Sequence, residues 1–469
     1  MPSSVKRAVL CALLLLMVLG SCLSAQAASQ RVVVKMNGNS PIGPVLKILG
    51  ATLLDTISES DLYLLQVPSL PLLNSFTLNL LGVAFIEADT TVSGPTLSTF
   101  GLLDTESAAD WYRMQPAFTR IRADRASKYY DGYGVVVADI NSAVDYSHPA
   151  LRGHLTSGYD FVAAQGSSYA TLNQSSASFL DQSSASFLDQ SSASFLDQQT
   201  SSFLNQSSAS FLDGTPLVSV VNAGNPAYGH GTLCAGLIAA VAPRAMVMPL
   251  RVFDDNGLAD IFTISKAIRY AVKNGASVIN LSFGISTNSR TVQEAVAAAV
   301  AANVLITASA GNANSSTPQY PASYASVISV AATDAADQKG SFSNYGSSIS
   351  VDAPGVNIIS AYPGGYYTVA SGTSFSAPIV AGEAALIRSK QTIGVRDAIV
   401  QGTVNIDAQN PKYAGKLGKG RVDIMSGLGK YRDADYNKQL RVQNCGTGGV
   451  SPERSSFYGV HIDLPRRLA

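Results

Sequence analysis

Charged side chains are scarce in this 469-residue chain, and the two signs cancel: 32 Lys and Arg stand against 32 Asp and Glu. With no net charge, neither nucleic acid nor an anionic membrane surface has an electrostatic handle on the molecule, and both partner classes are set aside. Cysteine is scarcer still, at four residues. Cys11 and Cys22 fall in the N-terminal apolar stretch. Only Cys234 and Cys445 remain, which excludes a disulfide framework and leaves open whether the two pair. Cys234 lies in a run of small apolar residues, the setting of a buried thiol. After the N-terminus no apolar run is long enough for a transmembrane segment; the best, residues 295–302, is broken by Gln293, Glu294 and Asn303. What is plentiful is apolar. A content of 46% hydrophobic residues over this length can bury a large core, and the length suggests two or three units.

Lys6 and Arg7, the apolar residues 8–19 and Ala25-Gln26-Ala27 have the layout of an export signal over residues 1–27, which predicts a secreted or extracytoplasmic protein. Leu19-Gly20-Ser21-Cys22 allows a second reading, with Cys22 as a lipidated anchor; ordinary cleavage is preferred. Residues 28–92 alternate as strands and helices of a small α+β unit, in the position of a folding-assistant pro-region ahead of a larger domain. Residues 93–115 contain Ser, Thr and Pro and read as a linker. From residue 116 to 428, near-continuous apolar strands alternate with helices, the pattern of a doubly wound, mostly parallel α/β sheet whose site lies at the carboxyl ends of the strands. Residues 174–213 interrupt this with five octads of the type Gln-Ser-Ser-Ala-Ser-Phe-Leu-Asp, one of them degenerate. An even period puts the phenylalanines on one face of an extended chain, yet the polar composition favours a loop over a packed module. Residues 429–469 read as an irregular tail.

Two segments carry chemistry. Ser371-Gly372-Thr373-Ser374-Phe375-Ser376-Ala377-Pro378 places a hydroxyl between a glycine turn and an apolar helix, among unpaired backbone N–H groups that suit a developing oxyanion. Pro378 is tolerable there only within the first turn. Alone, the segment reads first as a capped core helix with Ser as the cap. Gly229-His230-Gly231-Thr232 sets an imidazole between two glycines at a helix start, free of side-chain clutter and able to act as a general base. A lone His of this kind is more often structural; the two segments together shift the reading to catalysis.

Together these motifs resemble the subtilisin-like serine peptidases, or subtilases. Further matches fall in family order at residues 277–284, 308–312, 342–346, 352–355 and 420–423. The resemblance implies an endopeptidase in which Ser374 is the nucleophile, His230 the base and then the acid, and Asn312 the oxyanion donor beside the Ser374 N–H. It implies that Ser282, Phe283 and Gly284 pair with substrate backbone, and that Ala310 and Gly311 wall the pocket for the residue before the cut. Residues 28–92 would be an intramolecular inhibitor. No cofactor is required, although structural calcium occurs in the family.

The departure is at the acid. Aligned without gaps through Asp145, His148 and Pro149, the family's catalytic Asp falls on Asn141, and a normally apolar strand position holds Asp139. Taking Asp139 as the acid instead requires two extra residues before His148. An amide donates as well as accepts, so it permits the wrong imidazole tautomer and brings no charge. In a serine peptidase that change costs on the order of 10⁴ in rate. A peptide-binding pseudopeptidase is therefore the alternative. An α/β-hydrolase is excluded, because Gly372-Thr-Ser-Phe-Ser376 lacks the second glycine of its elbow and His230 precedes the serine.

Overall fold

The computed structural model describes residues 29–38, 40–69, 75–95, 99–103, 106–163, 165–166 and 227–429. The export signal, Cys22, the octads, Cys445 and the tail lie outside these.

The N-terminal unit is a four-stranded antiparallel sheet in the order β2-β3-β1-β4, from β1 (Gln30–Met36), β2 (Thr52–Ile57), β3 (Leu62–Val67) and β4 (Val83–Ala88). Helices α1 (Gly43–Leu49) and α2 (Ser75–Leu80) accompany it. Strand alternation gives this sheet two apolar faces. Val32, Val34 and Met36 form its own core with Val45 and Leu65, whereas Val33, Leu64 and Phe85 join a core shared with the large sheet.

Among the described residues that large sheet has ten strands. Its parallel centre comprises β7 (Val136–Asn141), β8 (Tyr159–Asp160), β10 (Met246–Arg251), β12 (Val278–Leu281), β13 (Leu305–Ser309), β14 (Ile328–Thr333), β15 (Val351–Pro354) and β19 (Arg421–Val422). β9 (Gln165–Gly166) and β18 (Thr403–Val404) close its edges antiparallel. Every residue of β12, β13, β14 and β15 is buried, which is why these strands read as near-continuous apolar runs with only a few polar residues among them. One face is covered by α3 (His230–Val241) and α6 (Thr373–Lys390), the other by α4 (Ile261–Lys273) and α5 (Arg290–Ala301). The expected doubly wound α/β architecture is present. Helices α3 and α6 approach closely because Gly382 is a glycine: a Cβ there would stand 2.7 Å from Val241 Cβ.

Within residues 93–115, expected as a linker, the described residues include regular structure. They hold β6 (Thr99–Leu103) and a helix, Glu106–Met114. β6 adds to the edge of a hairpin formed by β16 (Ile358–Tyr362) and β17 (Tyr366–Ala370). Ala108 and Tyr112 of the helix pack with Ala361, Tyr367 and Val369. The free edge of β17 supplies what local composition did not reveal. Just before this stretch, β5 (Thr91–Ser93) pairs antiparallel with β11 (Leu258–Asp260), tying the N-terminal unit to the large domain.

Candidate active site

β7, β12 and β13 are adjacent and parallel, so their carboxyl ends deliver Asn141, Ser282 and the Ala310–Asn312 loop to one place. Helix α3 enters there through a tight approach. A Cβ on Gly231 would lie 2.5 Å from Ser142 O and 2.8 Å from Ala143 O, so only glycine lets the helix start against the end of β7. Ser142 fastens the contact, accepting from Gly231 N–H at 3.0 Å and donating to Ala227 O at 2.8 Å. Thr232 accepts from Asp145 N–H at 3.0 Å.

His230 is the first residue of α3 and is buried. Its Nδ1 lies 2.7 Å from Asn141 Oδ1. Its Nε2 has no hydrogen-bond partner among the described residues. Desolvation pushes the ring down to about 3, so the imidazole is neutral at ordinary pH. Phe375 backs the ring at a centroid distance of 5.7 Å. Asp139 is buried and makes no direct bond to His230; burial pushes it up to about 7, with hydrogen bonds from Asn280 and Asn141 acting the other way. His148 and Asp145, which anchor the alignment, are structural. His148 Nε2 meets Tyr366 O at 2.7 Å, and Asp145 accepts from Ser147 and Gly364.

Ser374 is the second residue of α6, where the backbone N–H groups have no intrahelical acceptor. Its hydroxyl donates to Ser282 O at 3.2 Å. Pro378 lies inside α6, beyond the first turn where it was expected. The missing Pro378 N–H leaves the Ser374 carbonyl, four residues earlier, without its helical donor. Ser282 Oγ fills that place at 2.9 Å, and the Cys234 thiol stands 3.5 Å from the same oxygen. Pro378 thus hands the Ser374 carbonyl to two side chains from distant parts of the chain. Cys234 is free and buried, 3.8 Å from His230 Nδ1.

Asn312 is oriented by Thr373, whose N–H and hydroxyl donate to Oδ1 at 2.9 and 2.8 Å. Nδ2 is left to face Gly372, where an added Cβ would meet it at 3.3 Å. The loop carrying Asn312 is clamped by Asn344, which donates to Ala310 O and accepts from Ala313 and Ser315 N–H. Phe283 is buried against Phe253 at 5.4 Å and Ser282 is buried too, so of Ser282–Gly284 Gly284 alone keeps partial exposure. Between Gly284, expected to pair with substrate backbone, and Gly311, expected to wall the pocket, lies Gln319, which sequence reasoning missed. A Cβ on Gly284 would sit 2.3 Å from Gln319 Oε1, and one on Gly311 2.6 Å from it. A lone Gln carries no signal in sequence.

Residues 132–429 match the family model described as the subtilase family. The chain belongs to that family. Thermitase from Thermoactinomyces vulgaris is 33% identical over 316 residues, 65% of this chain and 92% of that protein. Subtilisin BL from Lederbergia lenta is 42% identical over 171 residues, 34% of this chain and 64% of that protein. The fold is shared with fervidolysin of Fervidobacterium pennivorans, a keratinolytic enzyme related to subtilisin, at a TM-score of 0.63 and 22% identity, covering 86% of this chain and 61% of that one. This subtilase is thus a member of a family of serine endopeptidases. No helix among the described residues is long and apolar enough to cross a membrane. Nor do three His, Cys, Asp or Glu side chains cluster there as a metal-holding set, so no residues are assigned to calcium.

Proposed function

We propose that this subtilase is an exported endopeptidase that cuts extended polypeptides through Ser374. The observation that carries the reading is the state of His230: its Nδ1 is anchored on Asn141 Oδ1 at 2.7 Å while its Nε2 is unengaged beside the serine helix. A substrate strand pairs with the backbone of Ser282–Gly284, and its N–H takes Ser282 O, which releases the Ser374 hydroxyl for His230. The hydroxyl gives its proton to Nε2 as Oγ attacks the carbonyl carbon. Asn312 Nδ2 and the Ser374 N–H receive the oxyanion, and the imidazolium then protonates the leaving amine. Asn141 weakens this last charge balance because it offers no carboxylate.

The N-terminal unit acts as a pro-region. Glu87 accepts from the N–H and hydroxyl of Thr291 at the start of α5, at 2.9 and 2.7 Å, and Asp89 accepts from Phe262 N–H at the start of α4, at 3.1 Å. A carboxylate at a helix N-terminus is favourable, which supports docking through Glu87 on α5; at α4, burial and the Asp260 charge push Asp89 up to about 7 against the same effect. Export rests on the layout of residues 6–27.

The same Asn141 favours the second reading, a groove that binds peptides without turnover. Incubation with an unstructured polypeptide and with a phosphonylating probe separates the two. The peptidase reading expects cleavage, a covalent adduct on Ser374, loss of both in Ser374→Ala, and a first cut within residues 93–115 before activity appears. Binding without cleavage or adduct would establish the pseudopeptidase.

A further inference from the structure

Asp139 and Asn141 are two residues apart on β7 and share a face of the sheet. Asn141 Nδ2 is 3.3 Å from both carboxyl oxygens of Asp139. The other end of the amide, Oδ1, accepts from the Ser142 N–H at 2.8 Å and faces His230 Nδ1 at 2.7 Å. Turned around, the amide would aim its N–H groups at a backbone donor and its oxygen at a carboxylate, replacing bonds by repulsions. Asp139 is itself held by a polar row across the sheet. Asn280, its register partner on β12, donates to it at 2.8 Å, and Thr307, the partner of Asn280 on β13, donates to Asn280 Oδ1 at 3.3 Å. The row fixes the Asn280 amide as Asp139 fixes that of Asn141.

We propose that Asp139 is a positioning residue for the base, acting through Asn141: its carboxylate holds the amide with Oδ1 toward His230, so Nδ1 carries the ring proton and Nε2 is the acceptor for the Ser374 hydroxyl. The inference rests on the peptidase reading for its role in turnover and deepens it. In the relay the serine proton moves to Nε2, the Nδ1 proton stays on the ring, and Asp139 keeps its protonation state while its charge offsets the imidazolium. Tautomer choice by the hydrogen bond at the other ring nitrogen is a general property of imidazole. The amide thus does the orienting half of a carboxylate's work, and the charge sits one side chain further back.

The neighbours of Asp139 make its ionisation readable. Asn280 faces it from β12, Pro249 is its register partner on β10, and Asn141 follows on β7; from α3 come the buried Cys234 thiol, which burial and Asp139 both raise, and His230. His230, pushed down to about 3, has no step near neutrality, whereas Asp139, pushed up to about 7, does.

The test is ¹⁵N NMR of the histidine-labelled protein, with His230 assigned by its loss in His230→Ala, together with steady-state kinetics of Asp139→Asn. The relay expects the neutral ring in its Nδ1–H form, with its Nδ1 signal shifting with a midpoint near 7. It also expects that shift to vanish in Asp139→Asn while the variant folds, and kcat to fall about 10- to 100-fold with KM nearly unchanged. A ring in the Nε2–H form, or one whose signals ignore both pH and Asp139→Asn, overturns the proposal. If these signals are present but the wild type cleaves nothing, the relay stands and the peptidase reading alone is lost.

Discussion

At the scale of single residues the site turns on asparagines that cannot flip. Asn312 has its oxygen occupied by Thr373, Asn280 by Thr307, and Asn141 by Ser142 and His230. A group that can donate or accept is made to do one thing by neighbours that can do only the other. This changes what restoring the family acid should achieve. Asn141→Asp would bring a carboxylate to the amide position 3.3 Å from both oxygens of Asp139. Two carboxylates at that distance cannot both ionise near neutrality, and they share a proton. Asn141→Asp alone is therefore expected to gain little at neutral pH and to improve as pH rises. Asp139→Val/Asn141→Asp, which restores both family positions, is expected to gain on the order of 10² in kcat. That is less than the ~10⁴ typical of an Asp-to-Asn change, because the tautomer is already correct and only the charge is missing. Initial rates of the two variants across a pH series decide the matter. A single variant that matches the double at neutral pH would show that the carboxylates do not interact.

At the scale of elements, the space between Gly284 and Gly311 is filled by a side chain from a neighbouring loop. Tyr320 exchanges two backbone bonds with Ile285, at 2.6 and 2.9 Å, and this short bridge seats the preceding Gln319 between Gly284 and Gly311. Gln319→Gly should vacate that space and admit larger side chains before the cut. One added methylene in such a pocket is worth about 10-fold or more, so the ratio of kcat/KM for aromatic over small residues should rise by at least about that factor. Competing peptide substrates measure it; an unchanged ratio would mean that Gln319 lies outside the pocket. The elements also show what sequence could and could not reveal. The strands of the large sheet were legible because they are buried on both faces, and Asp139 stood out as an acid in such a run. That Asp139 reaches His230 through Asn141 was not legible, because a relay depends on amide orientation and cross-strand register. Pro378 was placed a turn too early, since the side-chain donors that replace its N–H come from Ser282 and Cys234, far away in the chain. The helix over residues 106–114 was missed because its partner is the distant β16–β17 hairpin.

At the scale of the whole molecule, the buried carboxyls set how stability varies with pH. Asp139 lies deep in the sheet, and Glu383, on α6, is fully buried with neither oxygen bonded among the described residues. Burial raises both; the nearby Asp423 charge raises Glu383 further. A carboxyl whose folded pKa lies above its unfolded one binds its proton more tightly when folded. Stability is then full below the unfolded value and is lost as pH rises towards the folded one. For Asp139 that window runs from 3.8 to about 7, worth about 4 kcal/mol at its upper end. His230 works in the opposite sense: pushed down from 6.5 to about 3, it withdraws stability as pH falls through that range. Neutral isosteres isolate the carboxyls from this background. Asp139→Asn and Glu383→Gln should melt close to the wild type near pH 4 and above it at pH 8, the difference growing as pH rises. Thermal melts across that series test this, and a difference independent of pH would refute the burial argument. The two variants should part company in turnover. Glu383 lies outside the relay, so Glu383→Gln should gain stability with kcat unchanged, whereas Asp139→Asn should gain stability and lose kcat together. A buried charge that weakens the fold while orienting the base is a cost retained for function.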